Sequence, residues 1–153
     1  MIQLKEKEIT TIQDLRTQEK TCIEKYARYE QLAKDPVLKE LFQKLKAEEQ
    51  EHFDSLGKAL EGNVPQCDCN DSDGRNYNPK ATYSASENSE DKQNDNFLAT
   101  DCIGTEKLVS GEYNTNVFNF AQPLLRKLLA DIQIEEQNHA EMLFKYKTVN
   151  GMA

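Results

Sequence analysis

Both histidines of this 153-residue chain stand three residues after a glutamate, in two segments that repeat each other. Residues 19–56 and 106–143 align without a gap at an offset of 87, and 11 of the 38 positions are identical. Each copy supplies one Glu and, thirty residues later, a Glu-x-x-His. Two such copies match the ligand set of a dinuclear metal site in a four-helix bundle. The six candidate metal ligands are Glu19, Glu49, His52, Glu106, Glu136 and His139.

The spacing inside each Glu-x-x-His predicts that one helix offers an oxygen and a nitrogen to the same metal ion, because residues three apart lie about one turn apart on one helix face. A pseudo-twofold axis between the copies would give each ion one imidazole. Glu49 and Glu136 are placed to bridge the two ions. Glu19 and Glu106 are placed as terminal ligands. Oxygen and imidazole ligands together favour iron or manganese over a structural zinc site.

All six candidates lie on the apolar stripes of predicted helices, where an unpaired charge is least tolerated. Apolar residues step alternately by three and four over 4–33, 36–60, about 96–121 and 123–148, which predicts four helices. An ionised carboxylate taken out of water costs several kcal/mol unless it is paired. Two divalent cations would balance the four carboxylates, so the stripe positions support the metal hypothesis. The alternative is an inherited architecture in which these polar side chains pair with each other or with water.

The four predicted helices form two hairpins. Pro36 and Pro123 each begin the second helix of a pair, because proline is favoured at the first helical position. The hairpins therefore cover 4–60 and 96–148, and the aperiodic, polar segment 62–96 links them. A linker of this length lets the second and third helices run parallel. The expected fold is all-α, a ferritin-like four-helix bundle of two repeated helical hairpins joined by one long crossover linker.

The length and charge of the chain limit its class. One domain covering residues 1–153 is expected at this size. The net charge of −8 argues against nucleic acid or an anionic membrane as a partner. No segment approaches the roughly 18 apolar residues that a membrane-spanning helix needs, and the first residues lack the apolar core of a signal peptide. Synthesis in the cytoplasm is therefore expected.

The four cysteines are not spaced like a disulfide framework. Cys22 and Cys102 fall on helical stripes, which predicts buried thiols that act as small hydrophobic side chains. Cys67 and Cys69 lie in the polar linker, where the pair could bind a soft metal or cross-link to another chain. A bare Cys-x-Cys is weak support for either role.

Two further pairs of duplicated residues stand near the candidate ligands. Tyr26 and Tyr113 lie on the same stripes as the ligands, where each hydroxyl could hydrogen-bond a ligand carboxylate or each ring could simply fill the core. Glu48 and Glu135 lie off the stripes, so we expect both on a solvated helix face.

The segment that runs from Glu19 and Tyr26 to Glu49-Gln-Glu-His52 resembles the rubrerythrin type of the ferritin-like superfamily. The resemblance extends over both hairpins and implies metal-ligand roles for the same six residues. It also implies a di-iron or di-manganese centre that reduces peroxide or oxygen, or dismutates peroxide. The chain departs from rubrerythrins at Val109, where that family carries an additional Glu, and it has no Cys-x-x-Cys pair for a rubredoxin-like iron.

Residues 96–152 carry a second resemblance. They run from Asn-Phe-Leu-Ala-Thr-Asp through Glu-Lys-Leu-Val-Ser-Gly-Glu-Tyr-Asn-Thr to the closing Asn-Gly-Met, and they resemble the coat F family of spore coat proteins of endospore-forming bacteria. This resemblance implies a location in the spore coat, with spore coat proteins as partners and no need for catalysis.

Two functions of different classes follow from these observations. The first is an enzyme, a peroxidase, oxidase or catalase-like protein with peroxide or dioxygen as its substrate and two iron or manganese ions as cofactor. The second is a non-catalytic structural coat protein on a ferritin-like scaffold. Metal storage ranks last, since nothing in the sequence indicates a cage. A homodimer is a further expectation, without a located interface.

Overall fold

The computed structural model describes residues 1–68 and 71–152. These residues are all-helical, at 76% helix and without a strand, which confirms the predicted all-α class. A short 3₁₀ turn covers Val117–Asn119. The α-helices of the described residues are α1 (Glu6–Leu32), α2 (Pro36–Leu60), α3 (Ser72–Asn76), α4 (Glu90–Asn116) and α5 (Pro123–Val149).

The helix starts follow local capping chemistry. The Asp35 side chain accepts a hydrogen bond from the Val37 amide at 2.9 Å and caps α2, whose first residue is Pro36. The Ser89 hydroxyl accepts from the Lys92 amide at 3.2 Å and caps α4. Each cap satisfies a backbone amide that has no partner within its own helix.

α4 begins six residues before the predicted start at 96 and ends five before the predicted end at 121. Its first two turns are polar, with the buried Lys92 and Asp95 bonded to the linker, so hydrophobic periodicity gives no signal there. The linker predicted for 62–96 is accordingly shorter and contains α3. Its residues 61–89 form the crossover between the two hairpins.

The four long helices pack as two antiparallel hairpins, α1 with α2 and α4 with α5. Across the hairpins, Tyr26 contacts Glu106 and Glu19 contacts Tyr113, so α1 and α4 are antiparallel neighbours. α2 and α5 face each other in the same antiparallel sense, because His52 contacts Glu135 while Glu48, earlier in α2, contacts the later part of α5. α2 and α4 therefore run in the same direction, and the crossover has to traverse the length of the molecule.

The crossover is held along the groove between α2 and α5. The Gly74 amide donates to Asn138 Oδ1 at 2.8 Å, and Lys145 Nζ donates to the Gly74 carbonyl at 2.6 Å. Further on, the amides of Thr82 and Tyr83 both donate to Asn150 Oδ1 at 2.9 Å. Backbone groups of the crossover are thus hydrogen-bonded to side chains of α5 and of Asn150, the residue that follows α5.

The buried apolar side chains form two clusters, one toward each end of the helices. The first includes Ile12, Leu56, Val109 and Leu129, and the second includes Phe42, Leu98, Met142 and Tyr146. Five of the six candidate ligands lie along their helices between these two clusters, and Glu19 lies within the first cluster, between Leu15 and Cys22.

Asp95 ties the second cluster's end of the molecule together. Its carboxylate is fully buried and accepts hydrogen bonds from the amides of Lys34 and Asp35 at 2.8 Å and from the Tyr83 hydroxyl at 2.7 Å. Asp35 in turn accepts from the Tyr146 hydroxyl at 2.7 Å. One carboxylate of α4 therefore fixes the turn between α1 and α2 together with the crossover.

We expect Asp95→Ala to lower the free energy of unfolding by about 3 kcal/mol, because it leaves several buried donors without an acceptor at about 1–3 kcal/mol each. Urea denaturation measures this, with Asp91→Ala as the control, since Asp91 is exposed one turn earlier in α4. A loss no larger than that of the control would contradict the anchoring role of Asp95.

Candidate metal centre

All six sequence-predicted ligands come together in the interior, and each is at most 3% exposed. They form two groups of four in which the ligand atoms lie within 4.8 Å of one another. One group adds Glu19 and His52, the other adds Glu106 and His139, and Glu49 and Glu136 belong to both. Two overlapping groups that share two carboxylates have the arrangement of a pair of ions with two bridging ligands.

Both imidazoles direct Nδ1 toward the shared carboxylates. His52 Nδ1 lies 3.0 Å from Glu136 Oε1 and 3.4 Å from Glu49 Oε2. His139 Nδ1 lies 2.9 Å from Glu49 Oε1. The two rings are stacked, with centroids 5.8 Å apart. Each Glu-x-x-His therefore presents an oxygen and a nitrogen to the same interior space, as the spacing predicts.

Glu48 and Glu135 hold the outer edges of the two imidazoles. His139 Nε2 donates to Glu48 Oε2 at 2.6 Å, and His52 Nε2 donates to Glu135 Oε2. The expectation of a solvated helix face for these two carboxylates is wrong, because each side chain reaches across the groove between α2 and α5 to the histidine of the opposite helix. Their duplication in the repeat is the sequence signal that marked them.

The carboxylate at Nε2 also determines which ring nitrogen is available to bind a metal ion. A neutral imidazole that keeps its proton on Nε2 has its lone pair on Nδ1, which is the tautomer that a metal requires at that position. The pairing occurs in both halves of the repeat, so both histidines are oriented in the same way.

Tyr26 and Tyr113 both fill the core and hydrogen-bond a candidate ligand carboxylate, the two roles that the sequence left open. Both rings are buried, the Tyr26 hydroxyl donates to Glu106, and the Tyr113 hydroxyl donates to Glu19. The partner lies on the neighbouring helix and not on the tyrosine's own helix. Burial raises the pKa of both hydroxyls well above the usual value, so both remain donors at neutral pH.

Burial and the neighbouring charges shift the pKa values of the carboxyls in this layer in different directions. Burial, together with the charge of Glu49, raises the pKa of Glu19 to about 8. Burial and the charge of Glu106 raise the pKa of Glu136 to about 8. Burial also raises the pKa of Glu106, but the neighbouring His139 outweighs it and brings that pKa down to about 2.

For the two imidazoles, burial and the neighbouring charges shift the pKa in opposite directions. Burial by itself would lower the pKa of each ring, but the surrounding carboxylates outweigh it and hold the pKa of His52 and His139 well above the usual value. Without a metal, the layer is therefore neutralised by protons shared among carboxyls and imidazoles.

Three oxygens in the layer keep an unused lone pair. Glu19 Oε2, Glu106 Oε2 and Glu136 Oε2 are buried and accept no hydrogen bond from a described residue. Buried polar atoms are nearly always paired, so an unpaired set points to an absent partner. Oxygens from three helices around two inward-facing imidazole nitrogens fit divalent cations such as iron or manganese.

A cavity of about 170 Å³ between α2 and α5 reaches this layer from outside. His52 and Glu135 line its inner wall, and Pro65, Cys67 and Asp68 of the crossover line the outer side. The sequence-predicted role for Cys67 remains a prediction, and its neighbour Cys69 lies outside the described residues. Cys22 and Cys102 are buried free thiols, as predicted.

Comparison with known families adds one finding. Residues 94–153 match the Coat F domain. The match covers nearly all of α4 and the whole of α5, and with them Glu106, Glu136 and His139. No curated protein and no solved structure gave a significant match to the chain. None of the described helices is long and apolar enough to cross a membrane.

We expect the metal-free protein to lose stability as the pH rises from about 4.5 to about 8. A group whose pKa is raised on folding stabilises the fold below its unfolded pKa, and that contribution is lost as the pH rises through the folded pKa. For Glu19 the raised value is about 8, from 4.5. Thermal unfolding in the presence of a chelator measures the loss.

Glu19→Gln is the matched control for this pH dependence, because glutamine keeps the shape of the side chain and does not titrate. The drop in melting temperature between about pH 4.5 and about pH 8 should be smaller in this variant than in the parent chain. A metal-free protein whose stability increases over this range would contradict the assignment of buried protons.

Proposed function

We propose that this protein binds two iron or manganese ions between its helices as a ferritin-like, rubrerythrin-type carboxylate protein, in association with the spore coat. The observation that supports this proposal most directly is the pair of overlapping four-residue groups that share Glu49 and Glu136. The unpaired buried oxygens within these groups support the same proposal, since a bound cation would be coordinated by them.

The path of the chain supports the ferritin-like assignment. α2 and α4 run in the same direction, and one long crossover joins the two hairpins. Bundles that place a Glu on two helices and a Glu-x-x-His on the other two use this arrangement. An up-down-up-down bundle would need only a few residues between α2 and α4.

A bound iron or manganese pair would supply redox chemistry toward peroxide or dioxygen. The chain's own residues would position and protect it. Glu48 and Glu135 keep the Nδ1 atoms of the two imidazoles facing inward. The Tyr26 hydroxyl holds Glu106 and the Tyr113 hydroxyl holds Glu19 by hydrogen bonds. The apolar clusters cover the layer toward both ends of the helices.

Val109 distinguishes this centre from that of rubrerythrins. The side chain is 1% exposed and packs in the first apolar cluster, one turn after Glu106. An apolar side chain cannot bind a metal ion, so the additional glutamate of rubrerythrins has no counterpart at this position. We therefore propose a centre with a fixed set of six ligands.

A structural role in the coat is the second candidate, and the match of residues 94–153 to the Coat F domain favours it. In that case the buried polar layer would serve stability or assembly. Peroxide consumption by the metal-loaded chain separates the two functions. Turnover that is lost in Glu49→Gln supports the enzyme, and a metal-loaded protein without turnover supports the structural protein.

We expect two equivalents of iron or manganese per chain, and different losses for shared and unshared ligands. Glu49→Gln should remove both ions, because Glu49 belongs to both groups. Glu19→Gln should leave about one, because Glu19 belongs to one group. Elemental analysis of purified protein measures both. Equal stoichiometry in the parent and both variants would contradict the site.

Glu48 and Glu135 should affect metal binding through the histidines that they orient. We expect Glu135→Ala to weaken metal binding by about 10- to 100-fold, since residues that orient a metal-binding histidine typically contribute that much. Gln137→Ala is the control, because Gln137 is exposed two residues further along α5. Competition with a chelator of known affinity measures the change. Equal affinities of the two variants would contradict the orienting role of Glu135.

A further inference from the structure

α4 carries a second apolar face on the side opposite the core. Its buried residues, such as Ala99, Cys102 and Glu106, face the interior. On the other side the exposed fractions are 67% for Phe97 and 73% for Leu108, and Phe118 in the following 3₁₀ turn is 90% exposed. Helical spacing of three and four places these residues in one line with four small ones. We name this line the α4 stripe: Phe97, Thr100, Gly104, Leu108, Gly111, Thr115 and Phe118.

Two glycines in the stripe have no explanation within the chain. Gly104 and Gly111 lie inside α4, where glycine is less favourable than alanine. A Cβ placed on either one would meet no described atom within 4 Å, so nothing in the fold requires its absence. A glycine at an exposed helical position allows close approach by another molecule.

The repeat provides an internal comparison. Subtracting the offset of 87 from each stripe position gives the equivalent line on α1: Thr10, Gln13, Thr17, Thr21, Glu24, Arg28 and Gln31. That line is polar throughout and carries two charges. The helical hairpin therefore does not require an apolar outer face, and the face is particular to α4.

The order of residues along the stripe is the same in both directions. Phe97 and Phe118, Thr100 and Thr115, and Gly104 and Gly111 each lie at equal distances from a midpoint between residues 107 and 108. An antiparallel pair of α4 helices related by a twofold axis at this midpoint brings each of these six residues opposite its equal and places Leu108 next to the axis. Such self-complementarity is what an isologous interface requires.

The charge and the length of the α4 stripe fit a second copy of this chain as the binding partner. The stripe contains no ionisable side chain, so two chains of net charge −8 can meet there without opposing charges at the centre of the contact. Lys107 lies at the edge, where its long side chain can keep the ammonium in water. The stripe is about 32 Å long at 1.5 Å per residue. Its two phenylalanines could bury on the order of 300 Å² of the roughly 800 Å² per partner in a standard interface.

We propose that the α4 stripe is a dimer interface through which two copies of this chain pair antiparallel, about a twofold axis next to Leu108. Phe97 of one copy packs near Phe118 of the other, and the glycines allow the two helix backbones to approach closely. The contact lies outside the metal centre and depends on no metal. It lies entirely within the residues that match the Coat F domain.

The first test compares two matched charge substitutions in the 153-residue chain. Leu108→Glu places a carboxylate next to the proposed axis, and Thr21→Glu places one at the equivalent position of α1. Sedimentation equilibrium should show a dimer for the parent and for Thr21→Glu, and a dimer weakened by roughly tenfold or more for Leu108→Glu. A monomeric parent, or a dimer unaffected by Leu108→Glu, would overturn the proposal.

A second variant separates a folding effect from an interface effect. Gly104→Gln introduces a better helix former and a large polar side chain at a position with open space. We expect an unchanged or higher melting temperature together with a weaker dimer. Retention of full dimer affinity in this variant would show that the helices do not approach at Gly104, and the antiparallel pairing would be wrong.

Discussion

The structure depends on placing four carboxylates and two imidazoles in an interior that is almost closed to solvent. Burial alone would force these groups to give up their charges, and the raised pKa values of Glu19 and Glu136 are the response of those two carboxyls. Carboxylates at the outer edge and tyrosine hydroxyls at the inner carboxylates then fix each group in place. This layer is more strongly constrained than a purely apolar core would be, because every member has a directional partner.

The internal repeat explains why the layer is nearly symmetric and the exterior is not. Each hairpin contributes a Glu, a Glu-x-x-His and a tyrosine, and each outer carboxylate serves the histidine of the other hairpin. The interior can therefore form only when both hairpins are present. The outer faces are free of this constraint, and they have diverged into a polar line on α1 and an apolar line on α4.

Much of this arrangement could be predicted from the sequence, because apolar periodicity and Pro36 and Pro123 mark the helices. The helix of 36–60 was predicted residue for residue, and all six candidate ligands meet in the interior. Periodicity could not predict the first turns of α4, where polar residues bond to the crossover. It also misplaced Glu48 and Glu135, because a long side chain off the apolar stripe can still reach across a groove. Metal binding itself stays a prediction.

Anomalous X-ray diffraction from crystals of the chain loaded with iron or manganese tests the central claim most directly. We expect two anomalous peaks roughly 3.5–4 Å apart, each next to the Nδ1 of one histidine and both beside Glu49 and Glu136. Crystals grown with metal that show no peak within the buried layer, or peaks only on the surface, would contradict it.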